Sequence, residues 1–136
     1  MTTLQSLGRE RTVLLETRKR DGTWVGTPVS LAVSGDHGYF RSYDAAGKVK
    51  RLRNFPEVRV APCTMRGRPT GPAVAGTARL LRDAEAGTAR DLLAAKHPWL
   101  HGRIVPALHR RRGWTTLHYE LTLEQTREAP GTPPAP

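Results

Sequence analysis

Residues 39–56 read YFRSYDAAGKVKRLRNFP. The spacing predicts a short strand over Tyr39–Tyr43, a small-residue turn over Asp44–Gly47, and one or two helical turns carrying Lys48, Lys50, Arg51 and Arg53, with Pro56 as the stop. At helical period Val49, Leu52 and Phe55 fall on a single apolar stripe, so the helix docks on a core. Lys48 stands at the helix start beside Gly47, where free backbone N–H groups and the positive dipole end favour an anion. Arg51 flanks the same side, while Lys50, Arg53 and Asn54 point elsewhere. A strand, a small-residue turn and a lysine at a helix N-terminus make a phosphate-binding corner. The competing reading is a solvated basic helix that packs only through Leu52 and Phe55.

Around that segment the chain reads as short strands. Leu4 and Leu7 suit a short amphipathic start, Val13–Arg18 is a strand, and Asp21-Gly22 marks a turn. Residues 24–33 follow as one strand in which Pro28 signals an edge, a bulge or an interruption near a ligand. With residues 39–43 this makes an antiparallel meander. Residues 58–64 and 73–82 read as two further strands around a Gly/Pro turn, the second weakened by Gly76. Residues 83–93 and 99–112 switch to helical period, and residues 116–124 alternate apolar and polar without fault. Beyond Glu128 the tail, residues 129–136, is too rich in Pro to pack. The expectation is one mainly β domain over residues 1–128, an antiparallel barrel of about six strands with short helical insertions, or a sandwich.

Composition narrows the function. The 22 basic and 12 acidic residues give a formal charge of +10, so the partner is anionic: nucleic acid, a membrane surface or a phosphorylated small molecule. Arginine outnumbers lysine heavily, which suits planar recognition of phosphates and carboxylates. The basic residues are scattered rather than gathered on one recognition helix, and aromatics are only 6% of residues, both of which argue against nucleic acid. The single Cys63 excludes an intrachain disulfide framework, and the apolar runs are too short for a membrane span or a signal peptide, so a cytoplasmic protein is expected.

The search for chemistry leaves little. His97, His101 and His109 recur at four- and eight-residue spacings, but Pro98 breaks the register and no acidic partner stands nearby, so they read as surface histidines rather than metal ligands. No serine sits in a Gly-rich elbow, Cys63 has no histidine partner in its sequence context, and no GxGxxG or Walker pattern is present. With no side chain in a catalytic pattern, a cofactor would carry the chemistry.

The ordering VLLETRKRDGTWVGTPVSLAV, then GYFRSYDAAGKVKRLRNFPEVRVAPC, then RGRPTGPAVAGTARLL closely resembles the flavin/deazaflavin oxidoreductase superfamily. This is the pyridoxamine-5′-phosphate-oxidase-like split β-barrel group, and within it the small actinobacterial members that use the deazaflavin coenzyme F420. The G-K-x-K-R-x-R-N-x-P run is the most specific part and Thr27-Pro28-Val29 the second. The resemblance implies a homodimeric split barrel with cofactor sites at the dimer interface. Gly26, Thr27, Pro28 and Val29 would lie along the cofactor ring. Arg41 and Ser42, with Lys48, Lys50 and Arg51, would hold the phosphate and the acidic tail, and Asn54 would add a polar contact. It implies hydride transfer between reduced F420 and an electron-poor small molecule, with FMN as the alternative cofactor and a non-catalytic flavin- or haem-binding module as the alternative role. The C-terminal arm with which pyridoxamine phosphate oxidases hold their substrate has no counterpart in the Pro-rich tail, which argues against vitamin B6 oxidation.

Overall fold

The computed structural model describes residues 2–96, 111–113 and 115–124. Its elements in chain order are α1 (Leu4–Gly8), β1 (Val13–Arg18), β2 (Trp24–Val29), β3 (Ala32–Ser34), β4 (His37–Tyr43), α2 (Gly47–Asn54), β5 (Glu57–Pro62), β6 (Val74–Leu80), α3 (Asp83–Lys96) and β7 (Thr116–Leu123). The second expected helix, residues 99–112, falls almost wholly outside the described residues, as do His97, His101, His109 and the Pro-rich tail.

The seven strands form one antiparallel sheet in the order β2-β1-β5-β6-β7-β4-β3. Its two edges are consecutive in the chain, with only Ser30 and Leu31 between β2 and β3. Six inter-strand steps in a flat sheet would put these edges about 29 Å apart, yet the chain from Val29 to Ala32 can span only about 11 Å. The sheet therefore curls until its edges approach. With no ladder between β2 and β3 among the described residues, the result is a split barrel rather than a sandwich.

This topology revises two expectations. Residues 24–33 are two strands, because after Pro28 the chain leaves one edge of the sheet and joins the other. The opening is not a simple meander either: β1 pairs with β5 as well as β2, and β4 pairs with β7 as well as β3. Pro28 sits on edge strand β2, where its missing N–H costs no ladder bond to a further strand.

Inward-facing residues of alternate register fill the barrel: Val13 and Leu15 on β1, Phe40 on β4, Val58 and Val60 on β5, and Tyr119, Leu121 and Leu123 on β7, all buried. Phe40 and Tyr119 are directly paired across β4 and β7 and stack with centroids 5.1 Å apart and planes 7° from parallel, worth about 1 kcal/mol beyond their burial. Gly76, which the sequence suggests as a weak point of its strand, is demanded by packing: a Cβ there would stand 2.7 Å from the Thr122 carbonyl oxygen. α3 lies across β3, β4 and β7 and buries Ala89 and Leu93. α2 caps the barrel with Val49 and Leu52, as its apolar stripe predicts; Phe55 is only half-buried and receives Arg18, whose guanidinium carbon is 5.3 Å from the ring centroid.

Candidate functional site

The β4–α2 corner is built as its sequence suggests, a strand, a turn and then a helix opening at Gly47. Ala46, the residue before it, offers no side-chain cap, so the first backbone N–H groups of α2 have no side chain of that residue to bond. Arg51 folds back over this end. Its guanidinium lies 2.9 Å from where a Cβ on Gly47 would stand, so a side chain there would push Arg51 from this position. The same guanidinium donates through Nε to Thr17 Oγ1 at 2.6 Å. Thr17 is fully buried and continues the inward phase of Val13 and Leu15 on β1.

Lys48 is half-buried beside Arg51. Burial pulls its pKa below the ordinary lysine value, and the neighbouring Arg51 charge pulls in the same direction. The carboxylates in described ion pairs are engaged elsewhere: Glu16 with Arg59, Glu85 and Glu120 with Arg79, and Asp91 with Arg90. Two adjacent cations at the positive end of a helix repel each other until an anion arrives.

The other predicted residues divide by position. On β2 the register places Thr27 opposite Leu15 and Val29 opposite Val13, so both face the interior; Pro28 opposite Leu14 and Gly26 opposite Glu16 face outward. A Cβ on Gly26 would stand 2.9 Å from Leu14 Cδ1. The β5–β6 turn docks on this outer side, with the Gly67 Cβ position 3.1 Å from Pro28 Cγ. Backbone bonds between Thr64 and Arg68 and between Gly67 and Thr64 hold the turn, which raises the exposed Met65 beside a cleft lined by Arg11, Pro28, Val29, Ser30 and Lys96. Lys96 Nζ donates to the carbonyls of Gly8 at 2.9 Å, Glu10 at 2.8 Å and Leu31, so it fastens the end of α3 to the α1–β1 segment and to the β2–β3 connection.

Thr17 is also opposite Val25, so the cationic corner and Pro28 lie three residues apart along β2, about 10 Å.

Arg41 and Ser42 do not join the corner as a pair, since strand alternation sends them to opposite faces. Arg41 is buried on the outer face, donating through Nε to His118 Nε2 at 3.3 Å, with burial and the Arg90 charge of α3 lowering its pKa. Ser42 faces inward with Phe40, and its buried Oγ has no hydrogen-bond partner among the described residues. Lys50 and Asn54 are exposed on α2. Thr17 and Lys96 were missed by the sequence reading. A hydroxyl in phase with Val13 and Leu15 was the available signal for Thr17; Lys96 carried none. Among the described residues no three of His, Cys, Asp and Glu come together as a metal site, and no helix is long and apolar enough to cross a membrane.

Solved structures share this fold. The haem storage protein HutZ of Vibrio cholerae superposes with a TM-score of 0.67 at 13% identity, over 90% of this chain and 88% of its own. A Listeria innocua protein assigned to the pyridoxamine 5′-phosphate oxidases gives 0.62 at 18% identity, over 90% of each chain. An F420 reductase gives 0.58 at 14% identity, over 90% of this chain and 94% of its own. At such identities the likeness is one of fold. No family model and no curated protein sequence matches the chain.

Proposed function

We propose that this chain is an oxidoreductase that binds coenzyme F420, or FMN in its place, and transfers a hydride between the coenzyme ring and an electron-poor small molecule. The observation that carries the proposal is the corner in which Gly47, Lys48 and Arg51 converge with Arg51 anchored on Thr17. Lys48, Arg51 and the opening N–H groups of α2 hold the phosphate. Gly26, Thr27, Pro28 and Val29, on an edge strand reachable from both faces, lie along the ring. Lys50 and Asn54, exposed on α2, are available to the acidic tail that distinguishes F420 from FMN. Arg41 lies outside this assignment because it is on the outer face, whereas Ser42 faces the interior, where its Oγ is available to a polar group of the ligand.

The bound coenzyme supplies the hydride chemistry. The chain supplies position, through the fixed separation of corner and cleft, and a positive field that favours negative charge developing on the substrate. A homodimer belongs to the same proposal, and light scattering at micromolar concentration tests it: a monomeric mass counts against it.

The coenzyme assignment is tested by titrating the protein with F420 and, separately, with FMN while following tryptophan fluorescence. Saturable quenching by F420 alone is the expected result. Quenching by FMN alone moves the chain to the flavin branch, and no response to either overturns the proposal.

A further inference from the structure

α2 presents two different flanks to the barrel. Arg51 turns towards β1, whereas Val49, Leu52 and Arg53 turn towards β6 and β7. Between this second flank and the sheet lies a cavity of about 200 Å³. Its walls are aliphatic: Val49, Leu52, Ala78, Leu80 and Leu117. On the β6 side the wall includes a small residue, Ala78, whose buried side chain leaves room beneath α2. The polar groups among the described lining residues belong to Tyr119, which is buried, and Arg53, which is exposed. The two are near enough for the Arg53 charge to oppose the rise that burial imposes on the Tyr119 pKa.

The aliphatic part of the wall gives water no hydrogen-bonding partners, so that part of the space favours an apolar guest over solvent. Arg53 enters none of the ion pairs formed among the described residues, and no described carboxylate lines the cavity. Its planar guanidinium matches a carboxylate, which stays at the wet mouth because burying it deeper without partners is costly. We propose that the cavity between α2 and the β6–β7 sheet binds a small monocarboxylate, its apolar body of about six carbons seated among Leu52, Ala78 and Leu117 and its carboxylate on Arg53. Cavities of about 150 Å³ accept benzene, which sets the size class. None of the residues lining this site is assigned to the coenzyme, so the proposal stands apart from the oxidoreductase reading.

Calorimetric titration of the full chain with hexanoate, and with hexanol as the uncharged control, tests the site. Hexanoate is expected to bind saturably at about 1 mM or tighter. Arg53→Gln is expected to weaken hexanoate about fivefold while leaving hexanol unchanged. Ala78→Leu, which fills the cavity, is expected to abolish binding of both. Leu117→Ala enlarges the cavity and is expected to shift preference from hexanoate to octanoate, which keeps the test decisive if Ala78→Leu fails to fold. Absence of saturable hexanoate binding, equal weakening of hexanol by Arg53→Gln, or unchanged chain-length preference in Leu117→Ala would each overturn the proposal.

Discussion

Arg51 Nε donates to Thr17 Oγ1 across 2.6 Å, joining the cap helix α2 to the interior face of β1. The bond fixes the direction of the guanidinium over Gly47 and so decides where the positive charge of the corner sits. Thr17→Val keeps the shape and removes the acceptor. It is expected to cost about 1–2 kcal/mol in urea denaturation and to weaken coenzyme binding as well. Unchanged stability would show that the bond carries no weight in the fold.

With Lys48 on the phosphate as proposed, coenzyme binding should depend on pH. In the free protein its pKa lies below 10.5, lowered by burial and then by Arg51. A bound phosphate favours the charged ammonium and raises that pKa, so binding takes up a proton once the free lysine has begun to lose its own. Coenzyme affinity is expected to fall as pH rises through the lowered Lys48 pKa and to level off beyond the raised one. Lys48→Arg, which stays charged, is expected to flatten the profile. Dissociation constants measured across the alkaline range check both, and a wild-type profile as flat as that of the variant would refute the assignment.

Glycines at different places respond in opposite ways. Gly76→Ala drives a Cβ to 2.7 Å from the Thr122 carbonyl oxygen, in the ladder between β6 and β7, and is expected to destabilise by about 2–3 kcal/mol. Gly87→Ala, inside α3 with Arg90 Nη2 no closer than 3.7 Å, is expected to stabilise by about 0.5–1 kcal/mol through helix propensity. Thermal melts of the two variants should move in opposite directions. A common direction would mean that the close approach at Gly76 is relieved by a small shift of the sheet.

Lys96 ties α3 to the α1–β1 segment and the β2–β3 connection. Its ammonium bonds the carbonyls of Gly8, Glu10 and Leu31, so Lys96→Met leaves three acceptors without that partner and is expected to cost about 2–3 kcal/mol. Hydrogen exchange is the sharper readout: protection should drop in α1 and around residues 30–32 and hold in β5 and β6. Uniform loss, or none, would contradict the local role.

Most strands were legible because a barrel has one wet face and one packed face, and alternation at Val13, Leu15 and Thr17 or along β7 records it directly. The cap helix was legible through Val49 and Leu52. The order of strands was not, since the path of residues 24–33 depends on the curl of the whole sheet, and nothing local to Ser30-Leu31 says that the chain changes edges there. At the site, Lys48 beside Gly47 was readable from helix-end chemistry alone. Arg41 was not, because adjacency in a strand that places a basic residue beside Ser42 also sends the two to opposite faces. Thr17 and Lys96 act on partners 34 and 65 or more residues away in sequence, a distance at which spacing carries no information.

The central claim is that the α2 corner holds the phosphate of a flavin-type coenzyme, and calorimetric titration of the Lys48→Ala/Arg51→Ala double variant addresses it most directly. Loss of two charge-assisted phosphate bonds is expected to weaken coenzyme binding by about 2–4 kcal/mol relative to the wild type, with the circular dichroism of the fold retained. Wild-type affinity in a folded double variant would contradict the account and place the phosphate elsewhere on the barrel.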